Sequence, residues 1–111
     1  MTPVAWNVDT LNETVDAELA GLPADMRARL ARISELIESV GLPSVKEPHV
    51  RHIRGHLWEI RLKGKAGIAR ALYGTVKEQR VVILRAFIKK TEETPAGELE
   101  LALQRAEELK P

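Results

Sequence analysis

Apolar positions along this chain follow two different periods, and the change between them divides the sequence. In "DTLNETVDAELAGLP" (9 to 23), Leu11, Val15, Leu19 and Leu22 recur at close to helical spacing, and Thr10 followed by Glu13 fits a capping box, which predicts a first helix from about residue 10 to 20. Pro23 suits a first helical position. Met26, Leu30, Ile33, Ile37 and Val40 then step by four and three until Gly41 and Pro43 stop the run. These two helices form a hairpin across a tight Gly-Leu-Pro link, with one apolar stripe to press on a sheet. Ahead of them, "VAWNV" (4 to 8) is a short β-prone run.

After the connector "GLPSVKEPH" the period becomes two. In "HLWEIRLK", Trp58, Ile60 and Leu62 alternate with Glu59, Arg61 and Lys63. "GKAG" (64 to 67) turns the chain into "IARALYGTV" (68 to 76), and "KEQR" turns it into "VVILRAFIK" (81 to 89), so three antiparallel strands follow as a meander. Both sides of the last two strands are largely apolar, which requires cover on both faces or leaves one face as a cleft. A terminal helix supplies a second cover, with Thr94 as N-cap, Pro95 at its first position and Leu99, Ala102, Ala106 and Leu109 on one stripe. The expected fold is therefore α+β: an N-terminal strand and a helical hairpin packed on an antiparallel sheet of three to four strands, with a short C-terminal helix. Residues 1–111 are read as a single domain, with 44% apolar residues for its core.

Composition adds limits. There is no cysteine, which removes disulfides and thiolate chemistry. No run approaches the roughly 18 apolar residues of a membrane span, and a soluble, cytoplasmic protein with no membrane partner is expected. The net charge of +1 hides a segregation: residues 49 to 90 hold 11 Lys/Arg against the two acids Glu59 and Glu78, a block of +9, while the flanking segments are acidic. So one-sided a block is a candidate footprint for a polyanion; a solvated charged sheet face beside acidic helices is the plainer alternative.

The meander lets the basic residues be placed. Centring the last hairpin on Glu78 and Gln79 sets Arg70 opposite Phe87 and Leu72 opposite Arg85. Arg70 and Arg85 then share one sheet face at diagonal positions, within reach of a common small anion. Guanidiniums on an apolar face require an anionic partner, either a ligand or acids of the terminal helix such as Glu93, Glu98 or Glu100. Lys89 shares the parity of Arg85 and Phe87, Lys90 points the other way, and Arg61, Lys63 and Lys65 run toward the "GKAG" turn near Arg70. Phe87 is available at the same end to stack on a base. His52 and His56 are four residues apart, but they fall in loop and strand with no further ligand set, so no metal and no cofactor is expected. "GKAG" lacks the spacing of a phosphate-binding P-loop, and no serine lies near a histidine.

The order of elements, with "GHLWEIRLKGKAGIARALY" and "ILRAFIKKTEETPAGELELALQRAEE", resembles the RelE/HigB toxin superfamily, in particular its phage-derived branch. The matching motifs are Leu57 to Arg61, Gly67 to Arg70, and Phe87 to Ala102 with Thr91, Thr94 and Pro95 in place. The resemblance implies a type II toxin: a ribosome-dependent mRNA endoribonuclease that inhibits translation and is neutralised by a cognate antitoxin, expected to be of helix-turn-helix type. It also implies metal-independent cleavage by attack of a 2′-hydroxyl on the adjacent phosphate. In that scheme Arg70 and Arg85 stabilise the phosphate, Lys63 or Lys89 serves as acid or base, and Arg61, Lys65, Phe87 and Lys90 bind RNA. Where relatives often show a histidine and a glycine before the "FIKK" run, this chain has Arg85 and Ala86. The alternatives are a ParE-like toxin acting on a protein target such as gyrase, or a non-catalytic RNA-binding relative.

Overall fold

The computed structural model of the protein describes residues 6–45, 50–76, 79–89 and 95–109. Strand β1 (Asn7–Thr10) leads into helices α1 (Glu13–Ala20) and α2 (Ala24–Val40), then β2 (Val50–Arg54), β3 (Leu57–Gly64), β4 (Gly67–Val76), β5 (Arg80–Lys89) and helix α3 (Ala96–Ala106). The sheet has five strands in the order β1-β5-β4-β3-β2; β1 runs parallel to β5 and the other pairs are antiparallel. The α+β architecture expected from the sequence is therefore present with a larger sheet.

Local chemistry sets the helix ends. Asn12, not Thr10, caps α1: its side-chain oxygen accepts from the Val15 N–H at 3.1 Å, while the Thr10 hydroxyl donates to Asp16. Pro23 and Pro95 sit at the cap positions of α2 and α3, one residue earlier than expected; Thr94 lies outside the described residues. Gly41 closes α2 with φ +85, and a Cβ there would stand 2.8 Å from Trp6 Nε1, so both backbone and space demand glycine.

The α1–α2 hairpin covers one sheet face, where Met26, Leu30, Ile33 and Ile37 pack with Val15, Ile60, Leu62, Tyr73, Val81 and Ile83. Each such buried aliphatic side chain stabilises the fold by about 1.5–3 kcal/mol. On the other face, Ala102 of α3, flanked by Leu99, Ala106 and Leu109, packs on Leu57, Leu72, Val82 and Leu84.

Two features depart from the sequence reading. β2 is an added edge strand where a connector and loop are expected; a register shift between His52 and Arg54 breaks its alternation, so no period of two is visible. In β4–β5, Arg70 lies opposite Phe87 and Leu72 opposite Arg85 as expected. A bulge then shifts the register, so that Tyr73 faces Ile83. The extra residue turns Val81 and Ile83 toward the helical hairpin and places Val82 and Leu84 with Phe87 on the α3 side, exchanging the faces that strict alternation assigns them.

Candidate nucleic-acid interface

Two cross-strand rows cross the face that carries α3, Glu59–Leu72–Arg85 and Arg61–Arg70–Phe87, and the backbone register continues them with the row Lys63–Ile68–Lys89. The two-residue turn between β3 and β4 fixes the parity that sequence leaves open, so Arg61 stands directly opposite Arg70. Seven of the eight residues singled out by sequence thus fall on these rows or the adjoining turn, and Lys90 lies outside the described residues. Lys63 and Lys65 are exposed, and Arg61 and Phe87 are half-buried.

The two leading arginines are held by carboxylates. Arg70 Nη1 donates to Glu59 Oε2 at 2.8 Å, and both side chains are out of solvent, 3% and 0% exposed. Alternation along β3 marks Glu59 only as a polar position; its diagonal placement relative to Arg70, one strand over, is what makes the pair. Arg85 stands between two acids. Its Nε and Nη2 donate to Glu98 Oε1 and Oε2 at 3.1 and 3.0 Å, a bidentate fork, and its Nη1 lies 3.0 Å from Glu18 Oε2. Of the terminal-helix acids that sequence offers for this role, Glu98 meets Arg85, and Glu93 lies outside the described residues. The Arg85 guanidinium carbon also lies 5.8 Å from the centre of the Phe87 ring.

Glu18 joins three elements. β1 pairs with β5 only as far as Ile83, which leaves the following edge of β5 without a strand among the described residues. Side chains take its place: the Ala86 N–H donates to Glu18 Oε1 at 3.2 Å, and Arg105 Nη1 donates to the Leu84 carbonyl at 2.7 Å. Arg105 also donates to Glu18 Oε1 at 3.0 Å and pairs with its Oε2 at 2.9 Å. Burial raises the Glu18 pKa, but the Arg105 and Ala86 hydrogen bonds and the two arginine charges outweigh it, leaving the carboxyl below the usual glutamate value. For Arg85, burial works against the charge, and the Glu98 and Glu18 contacts overcome it, so its pKa is raised. Sequence reasoning passes over Glu18 and Arg105; their signal is weak, since each lies beside an apolar helical stripe.

Asp25, also missed, anchors the basic turn. Its Oδ2 accepts from the Lys65 N–H at 2.8 Å and its Oδ1 from the Met26 N–H at 2.9 Å. The hydrogen bond from Lys65 holds its carboxyl below the usual aspartate range. A Cβ on Gly64 would approach Asp25 Oδ2 to 2.7 Å, which accounts for the first glycine of "GKAG" as a close-approach residue.

His52 belongs to the other side of the sheet. His52 tilts on Trp58 with ring centres 4.7 Å apart, and Trp58 stacks on Tyr73 at 6.5 Å. Among the described residues no three metal-ligating side chains come together. An open groove of about 430 Å³ lies between β1 and the helical hairpin, lined by Val8, Leu19, Leu30 and Ile83 with Asp16 and Arg27, away from the cation rows. No helix among the described residues is long and apolar enough to cross a membrane.

The profile of a family described as "Phage derived protein Gp49-like (DUF891)" matches residues 17–107. No curated protein matches by sequence. Solved structures that share the fold include the following two. E. coli toxin RelE, a mutant in the free state, is 18% identical with a TM-score of 0.63, covering 91% of this chain and 97% of its own. A chain of the archaeal RelE–RelB complex from Pyrococcus horikoshii OT3 is 22% identical with a TM-score of 0.61, covering 78% of this chain and 97% of its own.

Proposed function

This chain belongs to the family of phage-derived Gp49-like proteins, and on that premise we propose that it is the toxin of a type II toxin–antitoxin pair, cleaving mRNA on the ribosome in the cytoplasm. The observation that carries the reading is the row of cations and one aromatic, Arg61–Arg70–Phe87, with exposed Lys63 beside it on the same sheet face. The resemblance to the RelE fold, one of whose structures is a RelE–RelB complex, supports a cognate antitoxin as partner. The helix-turn-helix type of that antitoxin belongs to the same proposal.

The chemistry follows from these side chains. The 2′-hydroxyl of a bound nucleotide loses its proton to a base, its oxygen attacks the adjacent phosphorus, and the 5′ oxygen leaves with a proton from an acid. Negative charge grows on the phosphate, and preorganised cations there usually supply the largest single contribution to such a reaction. Arg85 grips the phosphate through its fork, and Arg61 and Lys65 hold the neighbouring backbone. Arg70, held by Glu59, stands beside Arg61 in the same row and supports it at the phosphate. Phe87 stacks on a base, with Lys90 extending the track. Lys63 or Lys89 performs the proton transfers.

The test is primer extension on a reporter mRNA during induced expression, with and without a translation block, comparing wild type with Arg61→Ala, Lys63→Ala and Arg85→Ala proteins whose folding has been verified. The reading requires discrete cuts that disappear in the variants and under the block. Growth arrest with intact mRNA and inhibited supercoiling would replace it with a ParE-like action on a protein target. Salt-sensitive RNA binding without cuts would leave a non-catalytic RNA-binding relative.

A further inference from the structure

Arg85 is held by two carboxylates that differ in how firmly they are themselves held. Glu18 is fixed from α1 by the Ala86 N–H, by two nitrogens of Arg105 and by Arg85 Nη1, four contacts between 2.9 and 3.2 Å. Among the described residues Glu98 on α3 pairs with Arg85 alone, yet it occupies the Nε/Nη2 edge of the guanidinium. That edge is the fork by which an arginine takes a phosphate in two parallel hydrogen bonds. The Nη1 left to Glu18 is the remaining corner.

Resting on the ribonuclease reading, we propose that Glu18 is the positioning residue that keeps Arg85 aimed, and that Glu98 is a resident stand-in for phosphate which the scissile RNA must displace. The exchange costs little in geometry. Glu98 is 21% exposed and can turn to water, while Glu18 and Arg105 keep α3 on β5 through the Leu84 carbonyl. Arg85 is 23% exposed, so an anion reaches its fork once the Glu98 carboxylate leaves. The two glutamates, equal in charge and bound to one guanidinium, thereby act in opposite directions: Glu98 competes with RNA and Glu18 prepares for it.

Opposite signs make the test. Single-turnover cleavage of mRNA in programmed ribosomes is measured over a range of protein concentrations for wild type, Glu98→Gln, Glu18→Gln and Glu98→Gln/Arg85→Ala, each with a melting curve. Glu98→Gln should reach half-saturation at a ~3–10-fold lower concentration, as expected for removing one competing ion pair of about 0.7–1.4 kcal/mol. Glu18→Gln should lower the cleavage rate at saturation by ~10-fold, because the grip is no longer aimed. Adding Arg85→Ala should erase the Glu98→Gln gain.

If both glutamine variants shift half-saturation downward equally, the acids act only as diffuse negative charge and the inference falls. It falls as well if the Glu98→Gln gain survives without Arg85. Wild-type protein that cuts nothing overturns the ribonuclease reading itself and the inference with it, an outcome distinct from either of these.

Discussion

Glu59 and Arg70 meet diagonally across β3 and β4, 2.8 Å apart and shielded from water, beside the half-buried Arg61. An ion pair placed so deep is costly to form and more costly to break, because removing one partner takes the opposite charge away from a group that stays buried. Arg70→Met is therefore expected to destabilise the fold by about 3–5 kcal/mol. The combined Glu59→Leu/Arg70→Met protein should recover most of that loss. Urea unfolding measures both, and a double variant no better than Arg70→Met would mean that the pair is not the source of the cost. The same reasoning makes Arg70→Ala an unsafe probe of activity, since lost folding would imitate lost chemistry.

The seam between α2 and the β3–β4 turn gives a second test. A methyl on Gly64 would press on Asp25 Oδ2 at 2.7 Å and on Met26 Cγ at 2.9 Å, and Asp25 is the acceptor for the Lys65 N–H. Gly64→Ala should cost about 1–3 kcal/mol, as overpacking generally does. The Lys65 amide should also exchange faster with solvent. Removing the carboxylate oxygen that is crowded should lessen the conflict, so Asp25→Ala in the Gly64→Ala background should lose less than the two single effects added. Strict additivity would show that the methyl is accommodated elsewhere.

Helical periodicity and turn chemistry make the three helices and the β3–β5 meander legible in the sequence alone, and the register of Arg70 with Phe87 follows from the hairpin length. Alternation fails at the bulges, because one extra residue in a strand exchanges every face beyond it, as Val81 to Leu84 show. It also fails for β2, whose five residues are interrupted by such an irregularity. The basic residues of the candidate site stand out in the sequence by charge segregation. Their acidic counterparts are less so: Glu98 stands on a helix whose acids are evident candidates, but Glu18 pairs with Arg85 across the sequence from another helix, a contact that local pattern does not encode.

Tyr73 offers a test of the core independent of function. Its hydroxyl is fully buried, has no hydrogen-bond partner among the described residues, and burial pushes its pKa well above the usual tyrosine value. Tyr73→Phe removes an oxygen that gives up water and gains no protein contact. The change should be neutral or stabilising, up to about 1 kcal/mol, whereas a buried hydroxyl with a good partner would cost that much when removed. Thermal melting of the two proteins decides it, and a loss of stability would reveal a water or backbone group satisfying the oxygen.

Glu18 sets a pH dependence with a definite direction. Its folded-state pKa lies below the ordinary 4.5, so ionised Glu18 favours the folded chain. That contribution is complete above the unfolded pKa and is lost as pH falls through the lower folded value, where the proton taken up by Glu18 releases Arg85 and Arg105. Asp25 is shifted in the same direction, so the measurement must be a difference. The stability of wild type minus that of Glu18→Gln should be constant between about pH 6 and 8 and should shrink below about pH 4.5, a comparison from which Asp25 cancels. A difference that stays flat through the acid range would mean that Glu18 acts through its hydrogen bonds to Ala86 and Arg105 alone, with its charge contributing nothing.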